Sequence, residues 1–430
     1  MLALLPREAQ YTKVLQSSRR ARLVEAAVLL AVAILIYARA LPGPFVFDDL
    51  TGIVDNDSVH QMWPLGAVLA QPPDLTTSGR PIAALSFALN YALAGPDARV
   101  FRATNIALHV LCALLFAAVV RRSLRSPRLA ERFGPSADLL AFGAALLFLV
   151  HPLASEVASY VSARTESLVA LFYLATLYLA IRARPSARPW GFVAGAIVCS
   201  ALGMATKEVM VSAPLVVVLH DLVFFGREPA GATRVRAVRG ALWTGLAATW
   251  GVLGAVVVTQ PRSESAGFAL WVTPAVYLAN QCRVLVGYLQ LVFWPSPLRI
   301  DYGLPEPLGF GDVWLAAALL VVLLALSLYA LWRWPAAGFV GIACFALLAP
   351  SSSVVPIASE VGAERRMYLP LAALAGLFIC AVWLGLARWG QARLAPWFFG
   401  SAALLLALLS VQRAALHADE IALWRADVSA

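Results

Sequence analysis

Long apolar runs separated by short arginine-bearing loops leave this chain one kind of fold, a bundle of helices threaded through a lipid bilayer. A hydrocarbon core about 30 Å thick needs about 20 apolar residues in helical form. Residues 22–41, 101–120, 137–152, 166–183, 189–206, 209–226, 241–259, 313–332, 337–357, 368–387 and 395–412 supply eleven such stretches. With 61% of residues hydrophobic and 13% charged, an ordinary soluble domain, in which about a quarter of residues are charged, is excluded. A twelfth stretch, 275–295, carries Asn280, Gln281, Arg283 and Gln290 and ends in Trp294-Pro295-Ser296-Pro297. It is expected to be re-entrant or interfacial. Cys112, Cys199, Cys282, Cys344 and Cys380 all lie in apolar stretches without metal-ligand spacing, and read as packing residues.

The net charge of +9 would suggest nucleic acid in a soluble protein, but here it concentrates in a few loops and reports orientation instead. Cytoplasmic placement suits Arg19, Arg20 and Arg22, the five arginines of 121–132, Arg182/Arg184/Arg188, the Arg227 to Arg239 loop, Arg333, and Arg388/Arg393. Alternation satisfies all of these only if 275–295 does not cross. Eleven spans follow, with the N-terminus (1–21) in the cytoplasm and the 413–430 tail outside. The first outer loop is then 42–100 and a second is 260–312, within a single membrane domain of residues 1–430. The scarcity of lysine, only Lys13 and Lys207, with heavy Ala, Leu and Arg use, suggests a high-GC bacterial genome and hence the inner membrane. Ala38-Arg39-Ala40 also resembles a signal-peptide cleavage site, but ten further spans favour a signal anchor.

This topology collects Asp48, Asp49, Glu156, Arg164, Glu166, Lys207, Glu208, Asp301, Glu360, Glu364, Arg365 and Arg366 on one extracytoplasmic face. Carboxylates at the edge of a membrane are functional candidates by default. Neighbouring residues rarely face the same way, so one of Asp48 and Asp49 is expected on a proton path while the other orients the loop or touches a metal. Arg365 and Arg366, helped by Lys207 and Arg164, suit a phosphate, because a guanidinium offers a planar fork to phosphate oxygens. Headgroup binding, or pairing with Glu360 and Glu364, is the plainer alternative for the two arginines, and a local pair with Glu208 the plainer one for Lys207. His151 before Pro152 reads first as a structural hydrogen bond at a helix end, and second as an acceptor or phosphate contact. Asn105 and His109, one turn apart, read as interhelical polar packing. Arg80-Pro81 either closes the first loop over the site or merely turns the chain. Between Val59 and Ala70, apolar residues at helical spacing predict a short amphipathic helix on the membrane surface.

The order of motifs resembles the membrane half of the TPR-containing transmembrane O-mannosyltransferases directed at cadherins, and more broadly the GT-C glycosyltransferases. The matching pieces are Phe45-Val46-Phe47-Asp48-Asp49, Arg80-Pro81-Ile82 leading to Asn90-Tyr91, Asn105 with Leu108-His109, and His151-Pro152 followed by Glu156. They continue with Ala163-Arg164-Thr165-Glu166, Thr206-Lys207-Glu208, Glu364 to Pro370, and the tail from Arg413 through His417 to Arg425. The resemblance implies an all-α GT-C-like fold and an inverting transfer of a hexose, mannose favoured, from a polyprenyl-phosphate donor to an acceptor hydroxyl. It favours Asp48 as the general base and Ser or Thr of an exported protein as the acceptor. Arg80, His151, Glu156, Glu166, Glu208 and Glu364 would shape the site or meet the acceptor.

No TPR array follows before Ala430, so acceptor recognition is expected from a separate TPR protein or another route. No cofactor is demanded by the residues; a divalent Mg2+ or Mn2+ remains open, with Asp49 its ligand if one binds. The bilayer, the lipid-linked donor and an exported protein or glycolipid are the expected partners, and nucleic acid is not. A transferase acting on a glycolipid or envelope polysaccharide is the alternative. A lipid-sugar flippase is the less favoured one, since most spans lack the mid-membrane polar residues and broken helices of transporters.

Overall fold

A computed structural model describes residues 7–73, 75–226, 233–260, 267–268, 271–353 and 355–429, with side chains from residue 19 onward. Arg227 and Arg262 lie outside the described residues. The helices are α1 (Arg7–Tyr37), α2 (Leu65–Leu69), α3 (Pro81–Ala94), α4 (Ala98–Leu124), α5 (Ala130–Phe133), α6 (Ala137–Val150), α7 (Ser155–Ser159), α8 (Arg164–Ala183) and α9 (Trp190–Met204). They continue with α10 (Ala213–Phe224), α11 (Thr233–Ala248), α12 (Trp250–Thr259), α13 (Pro274–Phe293), α14 (Phe310–Arg333), α15 (Pro335–Leu348), α16 (Tyr368–Arg388), α17 (Ala395–Leu416) and α18 (Glu420–Val428).

Each of the eleven expected stretches contains a helix, with α11 and α12 together forming one of them, although 337–357 is helical only to Leu348. Eight are long and apolar enough to cross a membrane. The others, α9, α10 and α15, have 15, 12 and 14 residues. A short 3-10 turn, Glu208–Ser212, lengthens the rod that α10 begins. Local signals set the ends. Asp97 caps α4 by accepting from the Arg99 amide, Asp419 caps α18 by accepting from Ile421 and Ala422, and Pro81 and Pro335 occupy first turns where no amide partner is needed. The expected amphipathic helix of 59–70 is helical only over α2, where Val68 is buried and Trp63 stands exposed. Pro64, which fixes its own φ and favours an extended residue before it, keeps the helix from starting before Leu65.

The core is unusually small-grained. Ala33, Ala40, Ala113, Ala137, Ala144, Ala145 and Ala158 are all fully buried. Without a hydrophobic drive between helices in lipid, close approach of small residues is what favours packing. At Gly338 on α15 an added Cβ would lie 2.1 Å from the Leu331 amide nitrogen of α14, so only glycine permits that crossing. By contrast, α14 exposes Leu315, Val321 and Leu326, as a helix facing acyl chains should.

α13 is the stretch expected not to cross. Near its start, Tyr277 donates to the Ser351 carbonyl and packs with Val272 and Ala358; near its end, Tyr288 donates to the Ala363 carbonyl. Both ends therefore meet the same segment, 351–363. Two of its polar residues bond carbonyls on the way: Asn280 donates to that of Glu306 and Gln281 to that of Val361.

Candidate active site

The first loop begins where Pro42-Gly43-Pro44 halts the chain after α1. Arg102, fully buried at the start of α4, holds this turn by donating to the carbonyls of Gly43, Pro44 and Ser159. The tail presses on it from the other side, since a Cβ on Gly43 would sit 1.9 Å from the His417 carbonyl oxygen. Gly43→Ala should therefore lever the loop off the tail, lowering the melting temperature and turnover together. An unchanged melting curve would show the contact to be slack.

Phe47 comes next with φ 52°, the one non-glycine in the left-handed region among the described residues. Such a backbone persists only where its surroundings enforce it. Here Phe47 packs against Tyr160 and edge-on against Trp424 of α18, ring centroids 6.4 and 5.8 Å away. The kink throws the two acids apart. Asp49 turns inward and is fully buried: Oδ1 accepts from the Ser162 amide (2.7 Å) and hydroxyl (2.6 Å), and Oδ2 from the Val46 amide (3.2 Å). Burial raises its pKa to about 6, opposed by those hydrogen bonds. Asp48 stays partly exposed, its amide donating to the Tyr160 hydroxyl at 3.0 Å. Burial raises its carboxyl above the usual range, while Arg365 and, more weakly, Tyr160 and Arg80 pull it down.

Arg365 is the hub of the cations. Nη1 meets Glu156 at 2.8 Å, Nη2 meets both oxygens of Glu360 at 2.7 and 2.8 Å, and its backbone amide donates to Glu156 at 3.1 Å. The guanidinium also lies 5.9 Å from the Tyr160 ring centroid. Glu156, buried, has its pKa raised by desolvation and lowered again by Arg365. Lys207 pairs not with its neighbour Glu208 but with Glu166 on α8. Burial lowers its pKa, with Arg80 and Arg365 close enough to push the same way. Arg80 and Arg365 thus act on both Lys207 and Asp48. Glu208 is engaged within the fold as well.

Other expected residues go elsewhere. Arg164 is fully buried and donates to Asn105 (2.7 Å), the Ser86 carbonyl (3.1 Å) and the Phe101 carbonyl (2.8 Å), with its guanidinium over Phe87 and Phe101. It ties α3, α4 and α8 together, because a buried guanidinium must find acceptors for its donors, and so it is not brought to the Asp48 cluster. Arg366 bonds the Ser351, Glu360 and Val361 carbonyls beside Tyr277 and pairs with the Glu360 carboxylate at 3.6 Å, so both arginines make the expected pairing with Glu360. Glu364 accepts from the Arg299 amide and the Tyr302 hydroxyl, fastening the 299–302 strand of loop. His151 accepts at Nδ1 from the Leu153 amide, so its proton sits on Nε2, which donates to the Val292 carbonyl. It is a neutral brace between the end of α6 and α13. Asn105 and His109 join α4 to its neighbours through the Tyr160 and Leu149 carbonyls and the Tyr368 hydroxyl.

Arg102, Tyr160 and Ser162 were not singled out by sequence. Tyr160 and Ser162 sit just before the Ala163-Arg164-Thr165-Glu166 string, and Arg102 is an arginine one residue into an apolar stretch, which was the signal available. Among the described residues no three His, Cys, Asp or Glu side chains gather to hold a metal, and Asp49 already uses three of a carboxylate's roughly four acceptor positions.

No family model matches the chain. It is 26% identical over 392 residues to the protein O-mannosyl-transferase Tmtc1 of Drosophila melanogaster, covering 83% of this chain and 41% of that protein. Against the human protein O-mannosyl-transferase TMTC4 it is 36% identical over 160 residues, 34% of this chain and 21% of the relative. The chain spans less than half the length of these relatives. The structure superposes on the crystal structure of the Archaeoglobus fulgidus oligosaccharyltransferase in complex with zinc and sulfate with a TM-score of 0.51 and 11% identity, over 91% of this chain and 53% of that one. The fold is GT-C-like. The chain resembles the membrane domain of the TMTC proteins, and the all-helical, multi-pass expectation holds. Among the described residues, eight helices meet the length and hydropathy of a span.

Proposed function

We propose that this chain is a glycosyltransferase that moves a hexose, mannose favoured, from a polyprenyl-phosphate donor to a Ser or Thr hydroxyl of an exported protein, with inversion. The observation that carries the reading is the division of labour between the paired acids. Asp49 is held by three loop donors, whereas Asp48 is partly exposed, raised in pKa, and under the pull of Arg365 and Arg80, two arginines whose field Lys207 also feels. A base with a raised pKa takes a proton more readily, and a nearby cation suits a departing phosphate. The acceptor oxygen would attack the anomeric carbon from the face opposite the phosphate, forming one C–O bond as the C–O bond to phosphate breaks. Its proton passes to Asp48, and the bonding pair leaves with the phosphate toward the three cations. Mannose and a protein acceptor come from the relatives' names; inversion follows from a single displacement.

The test is transfer from labelled polyprenyl-phosphate mannose to membranes of the native host. Label in protein released as O-linked hexose supports the proposal; label only in the lipid or polysaccharide fraction moves the acceptor to a glycolipid, and none at all sinks it.

We place the chain in a bacterial inner membrane with eleven crossings, α13 lying along the outer face and the N-terminus in the cytoplasm. Single cysteines at Asp57 and Asp301, in a background lacking the five native thiols, should react with an impermeant maleimide from outside, and one at Arg128 should not. Asp57 and Asp301 labelling from opposite sides would overturn the topology.

A further inference from the structure

We propose that the ends of α1, α4 and α8 remote from Asp48 form a binding site for the phosphate headgroup of an anionic phospholipid. Twenty residues of α4 separate Arg102, at the first loop, from Arg122, which at 1.5 Å per residue is about 30 Å, the thickness of a hydrocarbon core. At that far end a cavity of about 760 Å³ is lined by Arg22, Arg121, Arg122, Arg125 and Arg184 together with Tyr178, Ile181 and Phe225.

The acids there are already taken. Glu25 pairs with Arg121 at 2.6 Å, Asp138 with Arg121 and Arg125 at 2.7 and 2.6 Å, and Asp221 with Arg184 and Arg239 at 2.7 Å each. Arg22, Arg122 and Arg182 have no carboxylate partner among the described residues. Two of them crowd one phenol instead: Arg122 lies 5.2 Å and Arg182 5.8 Å from the Tyr178 ring centroid, and Arg182 also donates to its hydroxyl at 3.0 Å. Arginines that merely snorkel would splay toward water. Arg122 and Arg182 are instead half-buried and converge on Tyr178, a residue of the cavity's lining, to which the exposed Arg22 also contributes.

Like charges held together in a partly dry site call for an anion, and a guanidinium fork fits the two free oxygens of a phosphodiester. The apolar wall of Ile181 and Phe225 offers acyl chains a surface that free phosphate would leave bare, and basic pockets between membrane helices are known lipid-headgroup sites.

The test uses the purified full chain in zwitterionic phosphatidylcholine micelles. Added phosphatidylglycerol should raise the melting temperature of the wild-type protein in a salt-sensitive way and survive as a bound adduct in native mass spectrometry. Arg22→Gln with Arg122→Gln should weaken that binding by about tenfold or more, as expected for loss of two charge-assisted contacts. The pair Arg388→Gln with Arg393→Gln, basic but outside the cavity, should leave it unchanged. Absence of stabilisation and adducts in the wild-type protein overturns the site, whatever the variants do. So does equal binding by the Arg22/Arg122 variant. Stabilisation by millimolar inorganic phosphate but not by phosphatidylglycerol overturns the lipid assignment.

Discussion

Asp48→Asn should lower turnover by about 100-fold or more, the usual contribution of a positioned general base, while the melting temperature and donor binding stay near wild type. The side chain is partly exposed, its hydrogen bond with the Tyr160 hydroxyl is one that an amide oxygen can also accept, and the backbone amide of Asp48, which the substitution leaves in place, keeps its own contact to Tyr160. Asp49→Asn should behave in the opposite sense. Its amide nitrogen cannot accept, so either the Val46 amide or the Ser162 pair loses an acceptor in a fully buried setting. That costs about 1–3 kcal/mol, visible as a lower melting temperature, with turnover falling because the loop carrying Asp48 loosens. The pH profile adds a check. A base is active only when deprotonated, so the activity assigned to Asp48 should be lost as pH falls through its raised pKa, at higher pH than an ordinary aspartate would give. Stable, fully active Asp48→Asn protein would remove the base from the mechanism, and a stable but dead Asp49→Asn would move it by one residue.

How much of the structure is legible in the sequence depends on the range of the interactions. The apolar runs announce the helices because span length and hydropathy are local properties. The polar character of 275–295 was also readable, since Asn280 and Gln281 are ill suited to lipid and here find the Glu306 and Val361 carbonyls. What lay beyond the sequence was pairing at a distance. Lys207 stands beside Glu208 in the chain but reaches Glu166 on another helix; Arg365 and Arg366 share Glu360, as their spacing allows, yet a single 3-10 turn sends the first on to Glu156 and the second to backbone carbonyls. Arg164 looks like a phosphate ligand by type and by motif, and only its complete burial with Asn105 reveals a helix tie. A guanidinium bonds equally well to phosphate or to carbonyls, so residue type does not separate these roles.

Arg365 therefore carries the strongest test of the site's cations. Arg365→Ala strands Glu156, which is almost wholly buried, and Glu360, and breaking one side of a buried ion cluster costs about 3–5 kcal/mol. The single variant is expected to be both unstable and inactive, which by itself says nothing about catalysis. Adding Glu156→Gln and Glu360→Gln removes the stranded charges while keeping their shapes. The triple variant should regain most of the melting temperature, because buried charge and not lost contact area is what destabilises. Turnover should nevertheless remain at least about tenfold down, the worth of one charge-assisted bond to phosphate, and Arg365→Lys should recover only part of it, since an ammonium cannot bridge two carboxylates and a phosphate as a planar fork does. Recovery of full activity in the stable triple variant would reduce Arg365 to a clamp on the 360–366 turn. In that case the leaving phosphate would be left to Lys207 and Arg80, whose substitution would then have to carry the whole loss.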